Sequence, residues 1–370
     1  MNGDLFQGSW KIARVMGIPI RVHFSWLIIF GLITWSLSTY YFPKAAPELP
    51  TVSYWINGAL AALLLFASVA FHELSHSFVA ARYKITIISI TLFIFGGVAQ
   101  MKGDPPHPKA EFRIAIAGPL SSFSLSILFF LFSINSIGGT KALFFYLARI
   151  NLVLGVFNLV PGFPMDGGRV LRAAIWEKTK DYYYATQKAS IFGKRIALFF
   201  IFFGVFSIFS GFPGGLWLMI LGWFLYTAAQ VSYQQATIQE VLSGVKVKDI
   251  MVRDIVFISP SISIDEAVNN LFLRYGYGGF PVVDDGKFLG IITLKEVKNI
   301  PREKWRSVKV SDVFVPHNKN WEVSPEDEVM KALEVMIRED KGRLVITDRE
   351  RVIGLITRNG IAMYVQIKGK

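Results

Sequence analysis

Residues 54–83 of the chain read YWINGALAALLLFASVAFHELSHSFVAARY. A helix needs about 20 mostly apolar residues to cross a bilayer, and this run is long enough. Two histidines, His72 and His76, interrupt it one helical turn apart, and Glu73 follows the first of them. Ionisable groups at membrane depth are costly and are usually functional. The stretch therefore predicts a membrane helix that carries a polar functional site.

Further apolar runs predict more membrane spans, at 22–41, 112–134, 141–160, 196–209 and 216–233. The last two runs are short, so one broken hairpin is an alternative to two spans, but we count six spans in all. The segment 85–101 is apolar and rich in β-branched residues, with Gly96 and Gly97 near its end. It predicts a re-entrant β-hairpin packed beside the second span, with a hairpin in an aqueous loop as the alternative.

Composition agrees with a membrane protein that also has a water-exposed domain. Of 370 residues, 52% are hydrophobic and only 18% are charged, against about 25% in soluble domains. The chain has no Cys, which excludes disulfides and thiolate metal sites. The net charge of +12 does not indicate nucleic-acid binding, because no basic stripe with interleaved aromatics is present. Lysine and arginine instead gather in particular loops.

These basic residues predict the orientation of the chain in the cell membrane. Lys11, Arg14 and Arg21 precede the first span, and further clusters lie between the second and third spans and between the fourth and fifth. Because Lys and Arg mark cytoplasmic loops, we expect a multi-pass protein whose N- and C-termini are both cytoplasmic.

An internal repeat predicts a second, α/β domain after the membrane spans. Gly290-Ile291-Ile292-Thr293 is echoed by Gly354-Leu355-Ile356-Thr357, and other short matches accompany it. Each unit is predicted as strand, helix, two strands and helix. The expected organisation is a membrane domain at 1–235, a linker at 236–244 and a tandem domain at 245–370, with units at 245–305 and 306–370.

The motif His72-Glu73-Leu74-Ser75-His76 has the spacing of a metal site. Residues four apart share a helix face, so both imidazoles can bind one ion, and Glu73 can take a proton from a water held there. The alternative is a helix end with two interfacial histidines. A catalytic zinc usually has three protein ligands and one open position. The possible third ligands are His23, which is more simply an interfacial polar residue, His107, His317 and Asp166.

Asp166 is the best of these candidates. It ends the stretch Asn158-Leu159-Val160-Pro161-Gly162-Phe163-Pro164-Met165-Asp166, where two prolines force irregular backbone. Gly167 and Gly168 are expected to allow close approach to the metal helix. In the predicted topology, the second and fourth spans bring both motifs to the same leaflet. An N-cap of the following helix remains an equal alternative for Asp166.

The two motifs together resemble the site-2 protease family of intramembrane metalloproteases, in the branch with C-terminal CBS domains. The resemblance implies one zinc ion held by His72, His76 and Asp166, with Glu73 as general base in peptide-bond hydrolysis. It implies that Asn158 holds the substrate or steadies the oxyanion. The substrate would be a membrane-spanning protein in the lipid bilayer. The hairpin with Gly96 and Gly97 would lie near the site, where it could pair with an unwound substrate.

The repeated domain resembles a tandem CBS pair, which often binds adenine nucleotides between its units. The resemblance points to Thr293, Glu296 and Thr357 as candidate nucleotide-binding residues. However, Glu296 replaces the usual Asp in the first unit, and Gly360 removes the carboxylate in the second. A structural module, or one that forms a homodimer, is therefore equally open.

Two other functions are compatible with parts of the sequence. A transporter or channel regulated by CBS domains would predict internal symmetry between the spans. No repeat relates the first three spans to the last three, and such a protein leaves the His72–His76 motif unexplained. A catalytically inactive scaffold is disfavoured because Glu73 and the candidate ligands are all present.

Overall fold

The computed structural model describes residues 8–94, 96–212, 214–318, 321–348 and 351–369. These residues form two compact units, Met1–Ala236 and Thr237–Lys370. Most of the segment at 236–244, predicted as a linker, is helical, because the last helix of the first unit continues to Leu242.

Six helices of the described chain are long and apolar enough to cross a membrane, as predicted. With one short helix between them, they are α1 (Ser25–Ala45), α2 (Thr51–Arg82), α3 (Pro108–Ile134), α4 (Gly138–Asn158), α5 (Asp166–Thr179, the short one), α6 (Tyr182–Phe209) and α7 (Gly215–Leu242). Helix α2 packs against α1, α3 and α4, and α3 also packs against α5. The helix with the histidine motif is therefore central in this unit.

Helix α6 is longer than its predicted span. The prediction began at 196 because Lys188, Lys194 and Arg195 interrupt the apolar run before it. The helix instead starts at Tyr182, where the Asp181 side chain accepts a hydrogen bond from the Tyr184 N–H and caps it. Helical structure thus extends beyond the apolar segment on which the prediction rested.

A four-stranded sheet lies in the same unit, in the order β1-β2-β3-β4. Its strands are β1 (Ser9–Val15), β2 (Ile18–His23), β3 (Thr86–Phe93) and β4 (Gly96–Lys102). Strands β3 and β4 form the predicted hairpin, while its depth in the membrane stays a prediction. Strands β1 and β2 were not predicted; β2 pairs in parallel with β3, and β4 forms one edge of the sheet.

The second unit contains two three-stranded sheets, and the first of them takes its last strand from the second sequence repeat. The first has the order β5-β6-β7, with β5 (Gly279–Asp284), β6 (Lys287–Thr293) and β7 (Val315–Pro316). The second has the order β10-β9-β8, with β8 (Glu322–Val323), β9 (Arg343–Asp348) and β10 (Arg351–Thr357). Helices pack on these sheets, including α8 (Val247–Ile250), α9 (Ile264–Ala267), α10 (Leu294–Lys298), α11 (Val329–Arg338) and α12 (Arg358–Lys368). Two apolar cores of similar composition result.

Candidate metal centre

His72 and His76 lie one turn apart on α2 and are almost fully buried, with 4% and 2% of their surfaces exposed. The Nε2 atoms of both rings point at one carboxylate oxygen, Asp166 Oδ2, at 3.0 Å and 3.1 Å. Among the described residues these three form the one group of potential metal-binding side chains whose ligand atoms all lie within 4.8 Å of one another. The two sequence motifs therefore meet at one point.

Asp166 is the first residue of α5, and the preceding Met165 is in the N-cap position without a side-chain hydrogen bond. The carboxylate of Asp166 faces the histidines. Burial alone would raise the pKa of Asp166, but His76 and His72 hold that pKa below its usual range. The group is therefore an anion, as a metal ligand must be. The N-cap alternative assigned Asp166 the position that Met165 occupies.

The outer ring nitrogens of both histidines are bonded to α3. His76 Nδ1 donates to the Ile114 carbonyl oxygen at 2.6 Å, and His72 Nδ1 lies 2.8 Å from Ser122 Oγ. Since a carbonyl can only accept, His76 Nδ1 carries a proton, and Nε2 is the ring nitrogen left to bind a metal ion once its own proton is lost. Such second contacts orient metal-binding imidazoles and fix their tautomer.

Gly118 lies between these two contacts, four residues from each along α3. A Cβ atom at this position would overlap the Nε2 atoms of both His72 and His76. The absence of a side chain at Gly118 thus lets both ligand nitrogens lie directly against the backbone of α3. None of Ile114, Gly118 and Ser122 was singled out from the sequence, although Gly118-Pro119 inside an apolar helix is an unusual pair that marks the place.

Gly167 and Gly168 have a different role from the one predicted. They were expected to allow close approach to the metal helix, but the atoms nearest to a Cβ at either position belong to the stretch between α4 and α5. A Cβ at Gly167 would overlap the Leu159 carbonyl, and one at Gly168 would overlap the backbone of Gly162. Both glycines therefore permit a tight fold of the loop that precedes α5, and that fold determines where Asp166 lies.

The other two residues predicted for the site are Glu73, which follows His72 on α2, and Asn158, which lies on α4. Glu73 is partly buried and faces β4, where a Cβ at Gly97 would lie only 2.7 Å from Glu73 Cγ. Asn158 is the last residue of α4 and is also partly buried. Within the described part of the chain, no group hydrogen-bonds its side-chain amide.

The other histidines have local partners. His107 Nδ1 accepts from the Ala110 N–H at the start of α3, and His23 Nδ1 lies 2.8 Å from Ser25 Oγ. His317 pairs with Glu322 in the second unit. The choice of Asp166 over these three as the third candidate ligand therefore agrees with the geometry.

The donor set fits zinc. Two imidazole nitrogens and one carboxylate oxygen are typical of catalytic zinc sites, which keep a fourth position open. Ligands about 2 Å from a tetrahedral zinc ion lie roughly 3.3 Å apart. The separations of 3.0 Å and 3.1 Å between Asp166 Oδ2 and the two Nε2 atoms are close to that value.

The candidate nucleotide-binding residues of the second unit fall into two environments. The Glu296 carboxylate accepts hydrogen bonds from the Thr293 N–H, at 2.9 Å, and from the Thr293 hydroxyl, so it caps α10. Thr357 instead lines a cavity of about 490 Å³ together with Asp254, Arg343 and Arg358. Burial lowers the pKa of Arg343. The cavity thus combines a hydroxyl with two cationic side chains.

Family models match both units of the chain. The model for peptidase family M50 matches residues 60–138 and 134–204, and the model for the CBS domain matches residues 247–303 and 310–366. The three residues of the candidate metal centre lie inside the first pair of ranges.

Relatives match the chain almost from end to end. Rip3 of Mycobacterium tuberculosis, named as a zinc metalloprotease, is 34% identical over 96% of this chain and 92% of its own length. A zinc metalloprotease of Methanocaldococcus jannaschii is 33% identical over 97% of this chain and 96% of its own length. The solved structure of a site-2 protease from that organism is 35% identical, covers 61% of this chain and 95% of that one, and has a TM-score of 0.44.

Proposed function

The chain belongs to peptidase family M50 and is a multi-pass intramembrane zinc metalloprotease of the site-2 type, and on that premise we propose that His72, His76 and Asp166 hold its zinc. One observation carries this assignment: a single oxygen of Asp166 lies 3.0 Å and 3.1 Å from the two buried Nε2 atoms. A transporter or channel, the alternative from the sequence, would not need this cluster.

Glu73 is the general base of the proposed mechanism. When bound, zinc supplies a Lewis acid that polarises the scissile carbonyl and acidifies the attacking water. Glu73 takes a proton from that water as oxygen attacks the carbonyl carbon, and it returns the proton to the leaving nitrogen as the C–N bond breaks. Asn158, whose amide is not engaged within the described chain, donates a hydrogen bond to the substrate carbonyl oxygen, where the charge develops.

The substrate is a membrane-spanning protein that binds in an extended conformation. A helical substrate holds its scissile carbonyl in an intrahelical hydrogen bond and has to unwind first. Strand β4 lies at an edge of the sheet, so its outer backbone groups can pair with an unwound segment. The same strand contacts Glu73 through Gly97. Pairing along β4 would therefore bring a peptide bond next to the base.

The second unit is proposed to regulate the protease from the cytoplasm, where both termini lie. The two arginines of the 490 Å³ cavity can bind phosphates of an adenine nucleotide, and Thr357 can bond a sugar or phosphate oxygen. Both threonines cap a helix, and we favour the Thr357 position because the cavity that it lines also contains Arg343 and Arg358. A homodimer formed through this unit is a further proposal. We propose that the protease domain ends at residue 235 and that the regulatory pair begins at residue 245.

The decisive experiment uses the full chain in detergent with a transmembrane peptide and follows cleavage with and without a chelator. We expect chelation to abolish cleavage and zinc to restore it. Glu73→Gln should retain one zinc per chain and lose cleavage, whereas Glu177→Gln, at an exposed position of α5, should behave as wild type. Equal cleavage by Glu73→Gln and wild type would show that Glu73 is not the base.

A further inference from the structure

A buried ion pair connects α3 to α5 outside the candidate metal centre. Glu111, near the start of α3, is fully buried, and Arg172 of α5 is 9% exposed. Arg172 Nε donates to Glu111 Oε1 at 2.8 Å, and Nη2 donates to the same oxygen. Burial alone would lower the pKa of Arg172, but Glu111 raises it above the usual value. Arg172 therefore keeps its positive charge in the folded protein.

The guanidinium of Arg172 also contacts the elements on either side of α5. It lies 4.9 Å from the ring centroid of Phe163, in the loop before Asp166, and 4.6 Å from that of Tyr182, at the start of α6. Its Nη1 lies 3.3 Å from Thr186 Oγ1 on α6. One side chain thus holds α3, α5, α6 and the preceding loop together.

Helix α3 carries the other half of this arrangement. The face that presents Glu111 to Arg172 also presents the Ile114 carbonyl to His76, Gly118 to both ligand nitrogens and Ser122 to His72. Asp166 begins α5, six residues before Arg172. The three helices are therefore linked to one another. The histidines of α2 bond α3, the ion pair joins α3 to α5, and Asp166 of α5 lies against the histidines.

We propose that the Glu111–Arg172 pair is a positioning device for the metal centre, which sets the distance from Asp166 to His72 and His76 and thereby the affinity for zinc. The inference rests on the proposed zinc site. Neither residue contacts the ligand nitrogens or the Asp166 carboxylate. The pair acts because it fixes the start of α5 relative to the helix that orients both imidazoles.

The test measures zinc affinity of the full chain in detergent by chelator competition. Removing one charge of a buried pair leaves the other uncompensated, whereas replacing both with apolar residues is often tolerated. The variant is therefore the double substitution Glu111→Met with Arg172→Met. We expect zinc to bind roughly 10-fold more weakly, at the lower end of the effect of losing an outer contact of a metal ligand, because the pair acts on Asp166 indirectly.

A double-mutant cycle separates positioning from a general structural role. In an Asp166→Ala background, the double Met substitution should change zinc affinity by no more than about twofold, because its effect passes through Asp166. Arg82→Met is the matched control: Arg82 is exposed, stacks on Phe78, and lies six residues after His76 as Arg172 does after Asp166. It should leave zinc affinity unchanged.

The outcomes are distinguishable. Wild type that binds no zinc contradicts the proposed function itself. If wild type binds zinc and the double variant binds it with equal affinity, only the positioning role is contradicted. The positioning role is also contradicted if the double Met substitution weakens zinc binding equally in the presence and absence of Asp166. If the double variant does not fold, Arg172→Lys replaces it. That change keeps the charge but cannot reach Glu111, Thr186 and both rings at once, so weaker zinc binding is again expected and unchanged binding overturns the proposal.

Discussion

Gly118 faces His76 so closely that a Cβ atom at position 118 would overlap His76 Nε2. The same atom would overlap Nε2 of His72, so the glycine adjoins both nitrogens that lie near Asp166 Oδ2. Both imidazoles are held from the same helix, by the Ile114 carbonyl and by Ser122. They cannot turn aside without losing those bonds.

This relationship predicts the effect of Gly118→Ala. The added methyl should displace the imidazoles and abolish zinc binding, with loss of cleavage, as measured by zinc content and peptide hydrolysis. Gly31→Ala is the control, because Gly31 lies in α1 and a Cβ there meets nothing within 4 Å. A Gly118→Ala protein with one zinc per chain and normal turnover would contradict the geometry.

Ser122→Ala tests the hydrogen bond to His72. Without Ser122 Oγ, the His72 ring loses the partner that holds its tautomer and orientation. We expect zinc affinity to fall by roughly 10-fold or more, with cleavage restored at saturating zinc. Ser124→Ala serves as the control, since the Ser124 hydroxyl donates to the Leu120 carbonyl of its own helix and has no other partner among the described residues. Identical affinities in the two variants would rule out this role for Ser122.

Gly97→Val tests the contact between β4 and the base. Its side chain would meet Glu73 Cγ, because even a Cβ would lie only 2.7 Å away. The variant should retain zinc and lose roughly 100-fold in kcat, the smallest contribution expected of a positioned general base. Ala99→Val on the same strand provides a control for added bulk. Full activity of Gly97→Val would mean that Glu73 does not need its present position.

An ion-pair cluster in the second unit predicts a pH dependence of stability. Lys246 and Lys248 hydrogen-bond the Glu326 carboxylate and lower its pKa to about 2. The folded pKa lies below the unfolded value, so the stabilisation is present above about pH 4.3 and is lost as the pH falls toward 2. Since the group is exposed, the effect should be small and weaken in high salt. Glu326→Gln should lower the Tm of the second unit's transition at pH 6, and a difference that persists unchanged at pH 2 would contradict this assignment.

Part of the site could be predicted from sequence because it depends on local spacing. His72 and His76 are four residues apart, so they share a face on any helix. Ionisable residues within a long apolar run indicate a functional site. The role of Asp166 was harder to predict, because an aspartate at the start of a helix can be an N-cap as well as a metal ligand. Only the packing of α5 against α3 distinguishes these two roles. The six spans were predicted from apolar length, and α6 was underestimated because its first turns are polar.

The contacts from α3 could not be predicted. The Ile114 carbonyl that holds His76 is a backbone atom, so no residue type marks it. Gly118 and Ser122 matter only because α3 lies beside α2, which is a tertiary contact. For Gly167 and Gly168, close approach to the metal helix was expected, but the backbone nearest to both glycines is that of the loop before α5. Strand β2 alternates apolar and polar residues towards His23, but it was missed with its partner β1 because its last two residues were assigned to the first predicted span.

The central claim is that Asp166 is the third ligand, and X-ray absorption at the zinc edge tests it most directly when combined with metal content. We predict one zinc per chain in the wild type, with two imidazole nitrogens and a carboxylate oxygen in its coordination shell. In Asp166→Ala, the carboxylate contribution should disappear and zinc should bind more weakly. An unchanged spectrum and unchanged affinity in Asp166→Ala would contradict the account.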